Sequence, residues 1–179
     1  EGIIFDGEEY KVDCIIFATG FEVGTDYSRR AGYQINGIDG QSISQKWSEG
    51  LSTFHGMHVN GFPNAFFFGP AQSGFTATYT YSLDEQSQHL AHILDNARQQ
   101  GATRIEASKA AEQEWVQTII EKARLTADFQ EKCTPGYYNN EGHVNVKPQN
   151  TMYGGGPIEF FSLMKKWRSK DDLTGLELN

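Results

Sequence analysis

The chain has 179 residues, of which 38% are hydrophobic and 13% aromatic, so it can bury a sizeable core and is not disordered by composition. Its formal net charge of -8 opposes a phosphate backbone or an anionic membrane surface, because binding to either draws on clustered Lys and Arg. Neither nucleic acid nor a membrane is expected as a partner.

No apolar run approaches the roughly 18 residues that a spanning helix needs. Cys14 and Cys133 lie far apart without C-x-x-C spacing, so no zinc or redox motif is expected and a reduced, cytoplasmic setting fits. The first residues, Glu1 to Phe5, lack an initiator Met and a signal-peptide pattern, and a strand pattern begins at once. They read as the interior of a longer protein.

In chain order, Ile3 to Phe5 and Tyr10 to Val12 flank Asp6-Gly7, a pair that tolerates the positive φ angles of a tight hairpin turn. Val12 to Ala18 is nearly continuous in apolar residues, the pattern of a strand buried on both faces of a parallel sheet, and Thr19-Gly20-Phe21 ends it. Residues 22–60 are rich in Gly, Ser, Asn and Asp and predict irregular structure with a brief helix near Ser44 to Trp47. Gly61 to Asn64 is a turn, and Ala65 to Phe68 is a short strand pattern stopped by Gly69-Pro70. A helix follows Gln72-Ser73-Gly74-Phe75-Thr76, with Leu83, Leu90, Ile93, Leu94 and Ala97 on its inner face and Gly101 at its end.

Ser108 is a good N-cap for a second helix, which carries Ala111, Trp115, Ile119 and Ala123 on one stripe and is expected to end near Phe129. Cys133 to Gly142 is turn-rich yet holds Tyr137 and Tyr138, a composition that suits a surface loop recruited to a site. Gly154 to Gly156 precede a last helix opened by Pro157 and packed through Phe160, Phe161, Met164 and Trp167.

The strand–turn–helix unit from Phe68 to Leu83 is the best candidate for chemistry, since unpaired N–H groups at a helix start favour an anion or a carbonyl oxygen. On spacing alone, a plain connection explains Gly69-Pro70 about twice as often. Ala18-Thr19-Gly20 ends an apparently buried strand, where α/β folds place ligands, but a simple turn fits equally well. His55 and His58, like His89 and His92, have a zinc-like spacing without a second cluster, so surface histidines are the expectation. Ser73 stands outside a G-x-S-x-G elbow, which argues against a hydrolase triad.

Taken in order, Asp13 to Phe21, Gly61 to Asn64 and Gly69 to Phe75 resemble the late segments of class B flavoprotein monooxygenases. Cys133 to Gly142 followed by Tyr153 to Phe161 narrows the resemblance to the Baeyer–Villiger type, closest to those acting on steroids or large-ring ketones. The resemblance implies the C-terminal portion of an α/β flavoprotein with two dinucleotide-binding domains, parallel-sheet strands, helices and long irregular loops. Residues 1–20 would end the NADP-binding domain and form the return linker, and 21–179 would complete the FAD-binding domain with a helical and loop extension.

It also implies FAD and NADP as cofactors, a ketone and dioxygen as reactants, and the missing N-terminal part of the same protein as partner. NADPH reduces the flavin, the reduced flavin activates dioxygen, and oxygen enters beside the ketone carbonyl to give an ester or lactone. The cofactor-binding positions carried over are Thr19, Gly20, Gly69, Gln72, Ser73, Gly74 and Phe75. Tyr137, Tyr138, Asn139 and Asn140 fall in a segment, Cys133 to Lys147, that resembles the mobile loop closing over NADP and substrate. Thr78 departs from the family, which more often has Asn there. No G-x-G-x-x-G occurs, and no catalytic residue, including the family's arginine, is identifiable. The alternatives are another two-nucleotide flavoprotein, such as an N-hydroxylating or flavin-containing monooxygenase, and a non-enzymatic binding domain.

Overall fold

The structure is a computed structural model that describes residues 2–18, 28, 31–124, 132, 134–136, 142 and 147–179. Strands β1 (Gly2–Phe5) and β2 (Glu8–Lys11) form an antiparallel hairpin with Ile3 opposite Tyr10. Its turn residues Asp6 and Gly7 have φ of 52° and 83°, the left-handed pair that matches strand twist across a two-residue turn.

The buried parallel strand expected at Val12 to Ala18 is not formed. These residues carry no strand assignment, all of residues 2–18 are exposed, and Ile16 and Phe17 are 83% and 86% exposed. Ala65 to Phe68 is likewise not a strand, although Phe67 is buried and its N–H donates to the Met57 carbonyl at 2.9 Å. A continuous apolar run specifies burial on two faces, yet a ladder also needs hydrogen-bonding neighbours. Among the described residues the named strands form only two two-stranded antiparallel sheets.

Among the described residues, four α-helices and a second antiparallel strand pair build the body. Ser42 caps the one-turn helix α1 (Ile43–Lys46) through a reciprocal capping box with Gln45. Helix α2 (Tyr79–Gln99) is the longest element, and Gly101, with φ of 71°, turns the chain out of it. Strand β3 (Ile105–Ala107) leads into helix α3 (Lys109–Lys122), whose N-cap Ser108 accepts from the Ala111 N–H. That helix stops at Lys122, short of the expected end near Phe129, because Ala123 turns to ψ of 128°. Pro157 opens helix α4 (Pro157–Arg168), and β4 (Leu176–Leu178) returns antiparallel to β3.

The main core joins α3 to α4. Ala111, Trp115 and Ile119 meet Phe160, Phe161 and Met164, with Phe54 and Tyr153 filling between them. A second cluster packs Ile43 against Val59, Phe62 and Phe67, and a third sets Ile93 and Ala97 of α2 on Ile105 and Leu173. The inner face of α2 departs from the expected leucine stripe. Leu94 is 43% exposed and Leu83 and Leu90 are half-buried, while Ser82, Glu85, Gln86, His89, Ile93 and Ala97 are buried. The face is rotated so that its first half is polar, and those polar groups meet the turn that precedes the helix.

The histidines also depart from expectation. His55, His58 and His89 are buried, not superficial. His55 stacks on Phe54 at 3.7 Å between ring centroids, and its Nδ1 lies 3.3 Å from Nε2 of His89. Burial, reinforced by its histidine neighbours, holds His55 well below its ordinary pKa, and burial pushes His58 down to about 4 and His89 down to about 3. Among the described residues no group of three His, Cys, Asp or Glu could hold a metal. His92 is the exception, partly exposed beside Asp171 at 3.4 Å.

Candidate flavin-facing turn

The turn from Gly69 to Phe75 is buried along most of its length and tied down from three directions. Its own first tie is Ser73, whose hydroxyl donates to the Gly69 carbonyl at 2.5 Å. From α2, the Gln86 amide donates to that same carbonyl at 2.8 Å and to the Ser73 hydroxyl at 3.1 Å, and accepts from the Gly69 N–H at 3.3 Å. Ser82, one helical turn earlier, accepts from the Thr76 N–H at 3.2 Å.

The second direction is the segment before the turn. Gln72 is fully buried with a left-handed φ of 54°, and its amide oxygen accepts from the Thr53 N–H and hydroxyl at 3.0 and 2.6 Å. Its amide nitrogen donates to the Leu51 and Gln149 carbonyls, each at 2.8 Å. All the hydrogen-bonding capacity of this side chain faces the protein interior, so only its backbone could serve a ligand. The third direction is the stretch after residue 147. Gln72 N–H donates to the Thr151 carbonyl and Tyr153 N–H donates to the Ser73 carbonyl, and α3 adds a further tie, its Trp115 indole donating to the Gln72 carbonyl at 3.1 Å.

What remains free on this turn is chemically informative. The N–H groups of Gly74 and Phe75 donate to no described residue. Two adjacent donors of this kind suit a carbonyl oxygen or a delocalised anion, the groups found on the pyrimidine side of a flavin. A side chain at Gly74 would lie 2.7 Å from the Phe160 ring, so glycine lets the turn sit directly on the core. Phe75 and Tyr79 stand beside it with ring centroids 5.7 Å apart, both partly exposed. An open groove of about 180 Å³ is lined by Thr76, at the end of the turn, and by Tyr81, Ile158, Phe161 and Lys165 among others. Thr78 occupies the N-cap of α2 without a side-chain capping bond.

Five of the expected cofactor positions, Gly69, Gln72, Ser73, Gly74 and Phe75, are thus neighbours in one built turn. Thr19, Gly20, Tyr137, Tyr138, Asn139 and Asn140, together with Cys133, lie outside the described residues. Ser82 and Gln86 were missed by the sequence reading, which sought apolar residues on α2. The signal was present: Ser82, Gln86, His89, Ile93 and Ala97 follow the 4-3-4-4 spacing of one helix face.

No family model matches the chain. Among curated proteins it is 49% identical over 179 residues to neopentalenolactone D synthase of Streptomyces avermitilis, covering 98% of this chain and 30% of that protein. It is 34% identical over 175 residues to Baeyer-Villiger monooxygenase 4 of a Dietzia species, covering 98% of this chain and 29% of that one. In structure it is similar to the polycyclic ketone monooxygenase of the fungus Thermothelomyces thermophila, with a TM-score of 0.77 and 29% identity over 86% of this chain and 25% of that chain. It is also similar to the closed form of cyclohexanone monooxygenase, with a TM-score of 0.74 and 26% identity over 97% of this chain and 32% of that chain.

In fold the chain is therefore similar to part of the flavoprotein monooxygenases built on two dinucleotide-binding domains. Within that class its relatives include proteins named as Baeyer–Villiger monooxygenases. The chain spans about 30% of the length of the curated relatives it matches.

Proposed function

We propose that this chain is the part of an FAD- and NADPH-dependent Baeyer–Villiger monooxygenase that supplies one wall of the flavin site. The observation that carries the proposal is the Gly69–Phe75 turn, held from within and left with free N–H groups at Gly74 and Phe75, in a chain similar end to end to such monooxygenases. Bound FAD, once reduced by NADPH, would supply the oxygen-activating chemistry, and the reaction inserts one oxygen atom beside a ketone carbonyl to give an ester or lactone.

The chain's own contribution is orientation and electrostatics. The N–H groups of Gly74 and Phe75 would hold a flavin carbonyl, and the N-terminal end of α2 would favour the negative charge that reduced flavin carries nearby. Phe75 and Tyr79 would exclude water from that edge. Residues 1–20 are assigned to the end of the NADP-binding domain and its return linker, with Thr19 and Gly20 at the crossing, and 21–179 to the FAD-binding domain. Tyr137, Tyr138, Asn139 and Asn140 are assigned to the loop closing over NADP and the ketone. A soluble, cytoplasmic enzyme without nucleic-acid or membrane partners agrees with the charge, and no helix among the described residues is long and apolar enough to cross a membrane.

The test uses the full-length protein that carries this chain. It should purify with flavin absorbance, consume NADPH in a ketone-dependent manner and release a lactone from a cyclic ketone, whereas the 179-residue chain alone should do none of these. An N-hydroxylated amine as the main product would assign it instead to a different two-nucleotide flavoprotein. Sustained turnover by the chain alone would overturn the proposal.

A further inference from the structure

We infer that Gln86, assisted by Ser82, is the positioning residue that sets the shape of the Gly69–Thr76 turn. The inference rests on the reading of that turn as flavin-facing. The two side chains lie one helical turn apart on the buried face of α2, and each reaches a different part of the same turn: Ser82 takes the Thr76 N–H, and Gln86 takes both backbone groups of Gly69 and the Ser73 hydroxyl. Gln86 is 5% exposed and Ser82 is 2% exposed, so water does not compete for these bonds.

The chemistry requires an amide. Gly69 is buried and presents one donor and one acceptor to α2, and a primary amide is the side-chain group that offers the complementary pair in one plane, as a neighbouring strand would. The second amide hydrogen reaches the Ser73 hydroxyl, which is itself committed to the Gly69 carbonyl, so Gly69, Ser73 and Gln86 close a ring of hydrogen bonds. The free N–H groups belong to the next two residues, Gly74 and Phe75. A turn held in this way cannot move its Gly74 and Phe75 donors without breaking buried bonds, which keeps them aimed before any ligand arrives. None of these residues needs to touch the flavin for the effect.

Three variants of the full-length flavoprotein separate this role from simple stability. Gln86→Met keeps the volume and removes both bonding groups, Gln86→Glu, when ionised, keeps an acceptor for the Gly69 N–H but has no proton to donate to its carbonyl, and Ser82→Ala removes the outer tie. Ile93→Ala, in the separate cluster with Ile105 and Leu173, serves as a control of comparable instability. Gln86→Met is expected to raise the FAD dissociation constant roughly ten-fold or more, since buried backbone groups lose their partners, to shift the bound-flavin absorbance spectrum, and to divert NADPH consumption from ester to hydrogen peroxide. Gln86→Glu should fall nearly as far, Ser82→Ala less, and Ile93→Ala should lower the melting temperature while leaving flavin affinity and spectrum unchanged. Amide hydrogen exchange of the wild-type protein with and without FAD tests the underlying reading separately. Absence of FAD-dependent protection at residues 69–76 overturns the flavin-facing assignment. Protection in the wild type together with unaltered FAD binding and spectrum in Gln86→Met overturns the positioning role alone.

Discussion

The segment Gly2 to Ala18 and the turn from Gly69 to Thr76 are both short, glycine-punctuated and bordered by apolar residues, yet they are held in opposite ways. The first has a well-formed hairpin and then an apolar run, Ile15 to Phe17, that is exposed throughout. The second has no regular secondary structure, but α2 and the Gln149–Tyr153 stretch bind its backbone and the Leu51–Thr53 stretch binds the side chain of its Gln72. Regular local structure and tertiary anchoring are therefore separate properties. The apolar run lacks neighbours among the described residues, whereas the turn is rigid because polar side chains of distant segments complete its hydrogen bonds.

The largest effect that should sharpen this contrast is acid destabilisation of the region behind the turn. His55, His58 and His89 are neutral in the fold because burial depresses their pKa values, so stability is full above the unfolded value of 6.5 and is lost as pH falls from there toward about 4 for His58 and about 3 for His89. Each histidine contributes on the order of 1.4 kcal/mol per pH unit across that window, so urea unfolding should show several kcal/mol less stability at pH 5 than at pH 7. His58→Phe and His89→Phe together should flatten the curve, and an unchanged slope would refute the buried-neutral assignment. The hairpin, which contains no histidine, should keep its hydrogen-exchange pattern over the same range.

Gln72→Leu comes next. It strips the partner from the Thr53 N–H and from the Gln149 carbonyl, and one of two donors from the Leu51 carbonyl, while leaving the turn's positive φ in place. A loss of about 3 kcal/mol is expected, at the level of several buried groups left unpaired, and urea titration measures it. A loss below about 0.5 kcal/mol would show that the turn is held without its glutamine.

The smallest effect is expected at Ile16→Ser. In this chain, where Ile16 is 83% exposed, the change should stay within about 0.5 kcal/mol by urea unfolding. In the full-length protein the same substitution should cost about 2 kcal/mol or more if the run is packed there as an interior strand. Equal and negligible costs in both would break the comparison, since the run would then be exposed by nature.

Much was legible from residue order. Asp6-Gly7 specified the hairpin turn because few residue pairs accept two positive φ angles, and Ser108 and Pro157 marked their helix starts because capping chemistry is local. The turn at Gly69 to Phe75 was singled out as a candidate site through its resemblance to the flavoprotein monooxygenases. What failed depended on distant partners. Val12 to Ala18 reads as a strand because apolarity reports a preference for burial, but a strand exists only when another chain segment accepts its hydrogen bonds. The leucines of α2 read as its core face because a hydrophobicity pattern cannot foresee that a buried turn will ask the helix for hydroxyl and amide groups instead.

The sequence by itself therefore determined the features whose physics spans a few residues, tight turns and helix caps, together with the net charge and the resemblance to Baeyer–Villiger monooxygenases. Tertiary structure alone decided which way each side chain of α2 faces, that three histidines are buried and neutral, and that Gln72 turns inward while Gly74 and Phe75 keep free donors. The reason is that a buried polar group is stable only beside its complement, and that complement can lie far along the chain, 13 residues away between Ser73 and Gln86 and 77 residues away between Gln72 and Gln149.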